Sequence, residues 1–220
     1  MKIFLDTADV GQIQAAARLG VLDGVTTNPT HVARTGRDPR ELYPEICSLV
    51  AGPVSLETVS LEADAIVEEG QRLAKIAPNV VVKVPVTPQG LTAVKRLAAQ
   101  GVRTNVTVTF SPLQALLAAK CGATYISPFV GRLDAVSHEG MQLVRQIRAI
   151  YGHYGYATQV LAAAIRHPLH VLEAALAGAD AVTMSWEVLR QLYEHPLTDA
   201  GIRQFLEDWK KVPRPTATLA

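Results

Sequence analysis

The sequence predicts an α/β protein: one domain spanning residues 1–220 as a (β/α)8 barrel, with an additional C-terminal helix at 198–210 and a tail at 211–220. Three observations predict it. Eight short β-rich apolar runs alternate with amphipathic segments along the whole chain, the pattern of βα units around a parallel sheet. The runs recur every roughly 20 to 30 residues, which leaves room for a crossover helix and two loops each time. No compositional break divides the 220 residues, a length near the short end of the ~200 to 400 residues of such barrels. Eight strands with eight crossovers favour a closed barrel over a doubly wound open sheet.

In chain order the runs are KIFL (2–5), GVT (24–26), VSLET (54–58), VVVKV (80–84), VRTNVTV (102–108), TYISP (124–128), TQVLAAA (158–164) and DAVTM (180–184). The segments between them carry helical punctuation. Asp9 is placed to cap the segment holding Ile13 and Ala17, and Gly20 follows at a stop. Ile66, Leu73 and Ile76 share one face of the third predicted helix, with Glu68, Glu69, Gln71 and Lys75 mostly away from it. Ser111 and Pro112 open a helix as cap and first-turn proline, and Gly178 closes the one that begins near Pro168. After the eighth strand come a short helix around Trp186–Tyr193 and a last one from about Thr198 to Trp209. On that last helix Phe205 and Trp209 fall on a single face, which needs a surface to cover: its own barrel or a neighbouring subunit.

The composition narrows the function classes. With 49% hydrophobic and 19% charged residues the chain has the balance of a packed globule. A formal net charge of +1, from 21 basic and 20 acidic residues, gives no global field to recruit nucleic acid or an anionic membrane. No apolar run approaches the ~18 residues that span a bilayer. Cys47 and Cys121 are lone thiols without a CxxC pattern, which suits a reducing compartment, and a cytoplasmic protein is expected. His167 and His170 have no third ligand at metal spacing, and no glycine-rich nucleotide loop is present. No metal or cofactor is expected.

In a barrel of this type the chemistry gathers at the C-terminal ends of the strands. Reading those ends in order gives Asp6, then Thr26 with Asn28, Glu57, Lys83, Asn105 with Thr107, Arg132 beyond strand six and Arg166 after strand seven. Lys83 is the most informative, because it lies inside an apolar run. Alternation puts it on one face with Val81 and Pro85, opposite Val80, Val82 and Val84. An ammonium pressed against helices would cost several kcal/mol in desolvation, so the barrel interior is its place. Burial there favours the neutral amine that attacks a ketone. The competing reading is a structural lysine paired with Glu57 or Asp6. Asp6 by itself also reads as a turn or capping carboxylate, Glu57 as an ion-pair partner, and Arg132 and Arg166 as solvated arginines. In TTNPT (26–30) the asparagine before proline is held extended or in a turn, which directs its amide at the barrel mouth.

Taken together, FLDTADV (4–10), GVTTNPT (24–30), VVVKVPVTPQGL (80–91), NVTVTFS (105–111), YISPFVGRLD (125–134) and VLAAAIRHP (160–168) resemble the transaldolase family, in particular its small subfamily that includes fructose-6-phosphate aldolases. The resemblance runs from the first strand to the terminal helix. It implies that Lys83 forms a Schiff base with a ketose phosphate and that Asp6 handles the hydroxyl proton during carbon–carbon cleavage. Glu57 with Thr107 would hold a water that shuttles protons to the imine. Thr26, Asn28 and Asn105 would bind substrate hydroxyls, and Arg132 and Arg166 the distal phosphate. It also implies a homo-oligomer, for chains of this length often a decamer whose C-terminal helices reach a neighbour.

Phe129, Glu57 and Asn105 resemble the transaldolases rather than the aldolases, and the resemblance implies that Phe129 lines the substrate site. Ala164 departs from the family's pattern at a position usually filled by a phosphate-binding serine. The resemblance therefore implies transfer of a dihydroxyacetone unit between sugar phosphates. A fructose-6-phosphate aldolase and a catalytically silent sugar-phosphate binder on the same scaffold are the alternatives.

Overall fold

The computed structural model of the chain describes residues 1–213. Eight parallel strands close in sequence order: β1 (Lys2–Asp6), β2 (Gly24–Thr26), β3 (Val54–Glu57), β4 (Val80–Pro85), β5 (Thr104–Thr109), β6 (Tyr125–Pro128), β7 (Gln159–Ile165) and β8 (Ala181–Met184). Around them run α1 (Val10–Arg18), α2 (Pro29–Thr35), α3 (Pro39–Leu49), α4 (Ala63–Ala74), α5 (Pro88–Ala99) and α6 (Pro112–Lys120). They continue with α7 (Val130–Asp134), α8 (Gly140–Tyr154), α9 (Pro168–Leu176), α10 (Trp186–Gln191) and α11 (Pro196–Trp209).

The two-residue alternation of each strand sorts its side chains. Val54, Leu56, Val80, Val82, Val84, Val106, Ile126, Val160 and Val182 face outward and merge with helix residues such as Ile13, Ile66, Leu97 and Ile147 into the main core. Inward-facing Phe4, Val81, Tyr125, Leu161 and Ala181 form a separate apolar cluster that fills the barrel. Phe4 and Tyr125 meet edge to face there, with ring centroids 6.1 Å apart. A Cβ on Gly24 would come within 2.8 Å of the Phe4 ring and 2.7 Å of the Pro53 carbonyl oxygen, so this strand position has to be glycine.

Helix starts follow the local chemistry. Asp9, Asn28, Asp38, Thr87, Ser111 and Ser185 each accept a backbone N–H of the helix they open, and proline occupies the first turn of α2, α3, α5, α6, α9 and α11. Ser111 and Gln114 complete a reciprocal capping box.

Some details differ from the sequence reading. Two helices, α2 and α3, fill the interval between β2 and β3, so the helix carrying Ile66 is the fourth. It ends at Ala74; Leu73 and Ile76 both pack on the core, but Ile76 lies in the turn beyond the helix. The last helix begins at Pro196 rather than Thr198, because His195 accepts the Leu197 N–H and Pro196 takes the first helical position. None of its residues is buried, and Phe205 and Trp209 are 75% and 67% exposed, so its apolar face does not cover the barrel it belongs to. Residues 214–220 of the expected tail lie outside the described residues. Among the described residues, no helix is long and apolar enough to cross a membrane.

Candidate active site

Directly above the apolar cluster, two residues further along four of its five strands, the interior becomes polar. Strand register sets the neighbours: Asp6 lies beside Thr26, Glu57 beside Lys83, and Lys83 beside Asn105. Lys83 is 5% exposed and does face the interior. Its Nζ donates to Glu57 Oε2 at 2.9 Å and to the Thr27 carbonyl at 3.0 Å. It is therefore ion-paired with an acid, as the competing reading had it, and it also lines a cavity of about 610 Å3 at the C-terminal mouth of the barrel. The pair fixes the nitrogen, and the cavity leaves it open to a ligand.

Asp6 faces the same cavity with both carboxylate oxygens engaged. Oδ1 accepts the Thr26 hydroxyl at 2.7 Å, and Oδ2 lies 3.3 Å from His31 Nε2. The Thr183 hydroxyl, 2.7 Å from that of Thr26, extends the chain of hydroxyls to β8. Burial by itself would raise the Asp6 carboxyl. The hydrogen bond from His31, the positive charge of Lys83, the charge of His31 and the Thr26 hydroxyl together hold it below the ordinary carboxylate value. The result is an ionised carboxylate able to accept a proton.

Asn28 is extended, at φ −154° and ψ 167°, as a residue before proline should be. Its Oδ1 caps α2 by accepting the His31 N–H at 2.9 Å, which leaves the amide nitrogen for the cavity it lines. Asn105 sits deeper than expected of a substrate contact. It is fully buried, its Nδ2 donates to Ser55 at 3.2 Å, and its Oδ1 accepts the Ser127 hydroxyl at 2.7 Å. Thr107 is also fully buried, and its hydroxyl has no hydrogen-bond partner among the described residues. No direct hydrogen bond joins it to Glu57, whose recorded side-chain bond is to Lys83.

The opposite rim carries the arginines. Phe129 precedes α7, packs edge to face on Phe110 with centroids 5.8 Å apart, and lies under the Arg132 guanidinium at 5.1 Å. Arg132 and Arg166 both line the cavity and have no carboxylate partner among the described residues. Their two elements meet at Gly131, where a Cβ would come within 2.4 Å of the Ala164 carbonyl oxygen and 2.5 Å of Arg166 Cγ. His170 braces the same corner. Its Nδ1 accepts the Arg166 N–H at 3.3 Å, and its Nε2 meets Asp134 Oδ2 at 3.0 Å. Burial, followed by the charge of neighbouring His167, lowers its pKa against the opposing pull of Asp134. With Nδ1 accepting, the proton sits on Nε2, and the ring joins α7 to β7 as a neutral link.

Backbone strain marks this side of the mouth. Val108 and Ala164 have φ of 59° and 56°, each inside a register shift, one between β5 and β6 and the other between β7 and β8. Both residues line the cavity. Ala164, which stands where the family usually has a serine, contributes no hydroxyl to it.

The sequence reading missed Ser127, Thr183 and His31. Alternation in YISP and AVTM puts Ser127 and Thr183 on the faces of Tyr125 and Ala181, so strand period alone could have found both. His31 leaves no such signal, because its direction depends on how α2 is turned over the mouth. Among the described residues, no group of three or more His, Cys, Asp or Glu side chains is gathered to hold a metal ion.

Comparison with known proteins gives the chain's family. A model of the transaldolase/fructose-6-phosphate aldolase family matches residues 3–215. A probable transaldolase of Aquifex aeolicus is 57% identical over 213 residues, covering 97% of this chain and 98% of its own. One of Herpetosiphon aurantiacus is 56% identical over 220 residues, covering all of both chains. An inosine 5′-monophosphate dehydrogenase structure from Legionella pneumophila aligns with a TM-score of 0.61 at 13% identity, over 86% of this chain and 58% of that one, and shows the barrel fold alone. With a lysine, two carboxylates and two arginines around one mouth, and near-full-length relatives of the same kind, the chain belongs to the transaldolase/fructose-6-phosphate aldolase family.

Proposed function

We propose that this chain is a transaldolase that moves a dihydroxyacetone unit from sedoheptulose 7-phosphate or fructose 6-phosphate to an aldose phosphate through an imine on Lys83. The observation that carries this reading is Lys83 itself, buried in the barrel yet lining the cavity, with Glu57 bonded to its nitrogen and Asp6 on the same cavity wall. The names of relatives such as those of Aquifex aeolicus and Geotalea daltonii support it.

In this reading Glu57 takes a proton from Lys83, and the free amine adds to the ketone carbon. Loss of water leaves an iminium. Asp6 then removes the C4 hydroxyl proton, the C3–C4 electron pair flows into the iminium, and an aldose phosphate departs while an enamine stays on Lys83. An incoming aldehyde accepts the enamine carbon, its oxygen takes the proton back from Asp6, and water releases the new ketose. Glu57 and a water on the Thr107 hydroxyl serve imine formation and hydrolysis. Thr26 and the Asn28 amide nitrogen orient hydroxyls, and Asn105 acts from beneath through its free N–H. Arg132 and Arg166 take the phosphate, with Phe129 as the apolar wall between them and the lysine.

Supplying fructose 6-phosphate with and without erythrose 4-phosphate tests the reading. Glyceraldehyde 3-phosphate released beyond one equivalent per chain only when the acceptor is present means transfer, whereas continued release with free dihydroxyacetone in its absence means an aldolase. We further propose a homo-oligomer in the cytoplasm. The exposed Leu197, Ile202, Phe205, Leu206 and Trp209 on α11 need a covering surface, and a second copy provides one. A light-scattering mass of 23.6 kDa, that of one chain, would rule this out.

A further inference from the structure

A second cavity, of about 540 Å3, adjoins the first, and Asp6 and His31 line both. Asp6 has one oxygen on Thr26, a strand neighbour held in register. Its other oxygen meets the imidazole of His31, which comes from a different element. The α2 start holds that ring in place: Asn28 caps the helix on the His31 N–H at 2.9 Å, so one residue turned to the substrate cavity fixes the backbone of the residue turned to Asp6. The ring is 21% exposed, and its 3.3 Å approach to Asp6 Oδ2 is its ion-pair contact among the described residues.

We infer that His31 is a positioning residue for Asp6: its Nε2–H donates to Asp6 Oδ2, orients the carboxylate toward the substrate, and keeps it in the proton-accepting form. The assignment rests on the transaldolase reading, in which Asp6 removes the hydroxyl proton. A hydroxyl on one oxygen and an imidazole on the other leave the carboxylate one rotational setting. Without the imidazole, the Thr26 hydroxyl alone would hold the carboxylate, and Oδ2 would face the second cavity unpartnered. A hydrogen bond to the ionised form stabilises that form, so losing it makes Asp6 easier to protonate. The other charged groups at this wall are Asp9, Arg34, Arg37 and Glu187, with Lys83 across the main cavity. Arg37 is neutralised by Glu45 at 2.6 Å, and the carboxylate of Asp9 is occupied in capping α1.

The test is the pH profile of kcat/KM for wild type, His31→Leu and His31→Gln with fructose 6-phosphate and erythrose 4-phosphate. Borohydride trapping at Lys83 is run alongside. The expected result for His31→Leu is a loss of about tenfold at neutral pH, the scale of one hydrogen bond to a charged group. The acid limb moves toward neutral pH, and trapping is retained. His31→Gln, which keeps an N–H donor, returns the limb toward the wild-type position. A limb that stays in place in both variants, or a rate lowered evenly at every pH, would overturn the inference. Absence of trapping in the wild type would sink the transaldolase reading instead.

Discussion

Two layers of the barrel interior, separated by two residues along the same strands, have opposite character. In the lower layer Phe4, Val81, Tyr125, Leu161 and Ala181 fill the cylinder with carbon, and each is at most 3% exposed. In the upper layer the same strands place Asp6, Lys83, Ser127 and Thr183, joined to β3 by Glu57 and to β2 by Thr26. The lower layer excludes water from beneath and holds the strands in register. The upper layer can therefore keep an ammonium and two carboxylates at fixed positions in a poorly screened site, where each interaction counts for more than it would in water. On the proposed function, stability and chemistry are divided by height, and substitutions in the two layers should fail in different ways.

The sharpest separation comes from Lys83→Met. It should fold with a native circular dichroism spectrum and lose transaldolase turnover by about 10^4-fold or more, the scale of removing a covalent nucleophile. Leu161→Ala in the lower layer should do the reverse. Urea unfolding should show a loss of about 2–5 kcal/mol, while kcat at a temperature well below the transition stays close to wild type. If Leu161→Ala impairs turnover as much as stability, the two layers are not separate. At the rim, Arg166→Ala should raise KM for phosphorylated substrates roughly tenfold to a hundredfold, the worth of a charge-assisted hydrogen bond, and leave unphosphorylated fructose unaffected.

The smallest effect concerns acid stability. The folded-state pKa of Asp6 lies below its unfolded value, so its contribution is fully present above the unfolded value and is lost as pH falls through the folded one. Melting temperatures measured down the acid range should therefore fall less steeply for Asp6→Asn than for wild type. Parallel curves would show that Asp6 adds no acid dependence.

This division also explains what could be read in the sequence. Period-two alternation in VVVKVP gave Lys83 its inward direction, and the strand ends gave Asp6, Thr26 and Glu57, because a parallel barrel converts position along a strand directly into height. Features outside the strand period were harder to see. The five residues of α7 are too few for a helical period, and Phe129 before it makes no side-chain cap. The bulges at Val108 and Ala164 put non-glycine residues at positive φ, where the usual glycine or asparagine signal is missing. The Lys83–Glu57 bond was foreseen as an alternative to a reactive lysine. Composition could not show that the paired nitrogen also faces an open cavity, since that cavity is lined by residues from distant parts of the chain. The depth of Asn105 likewise comes from Ser55 and Ser127 on its two neighbouring strands, partners invisible from its own segment.

The most direct measurement is borohydride reduction of the wild-type protein in the presence of fructose 6-phosphate, followed by peptide mass mapping. The account predicts one dihydroxyacetone-derived adduct, on the peptide containing Lys83, and none in Lys83→Met. A wild-type protein that turns the substrate over with Lys83 unmodified, or an adduct on another lysine, would contradict it.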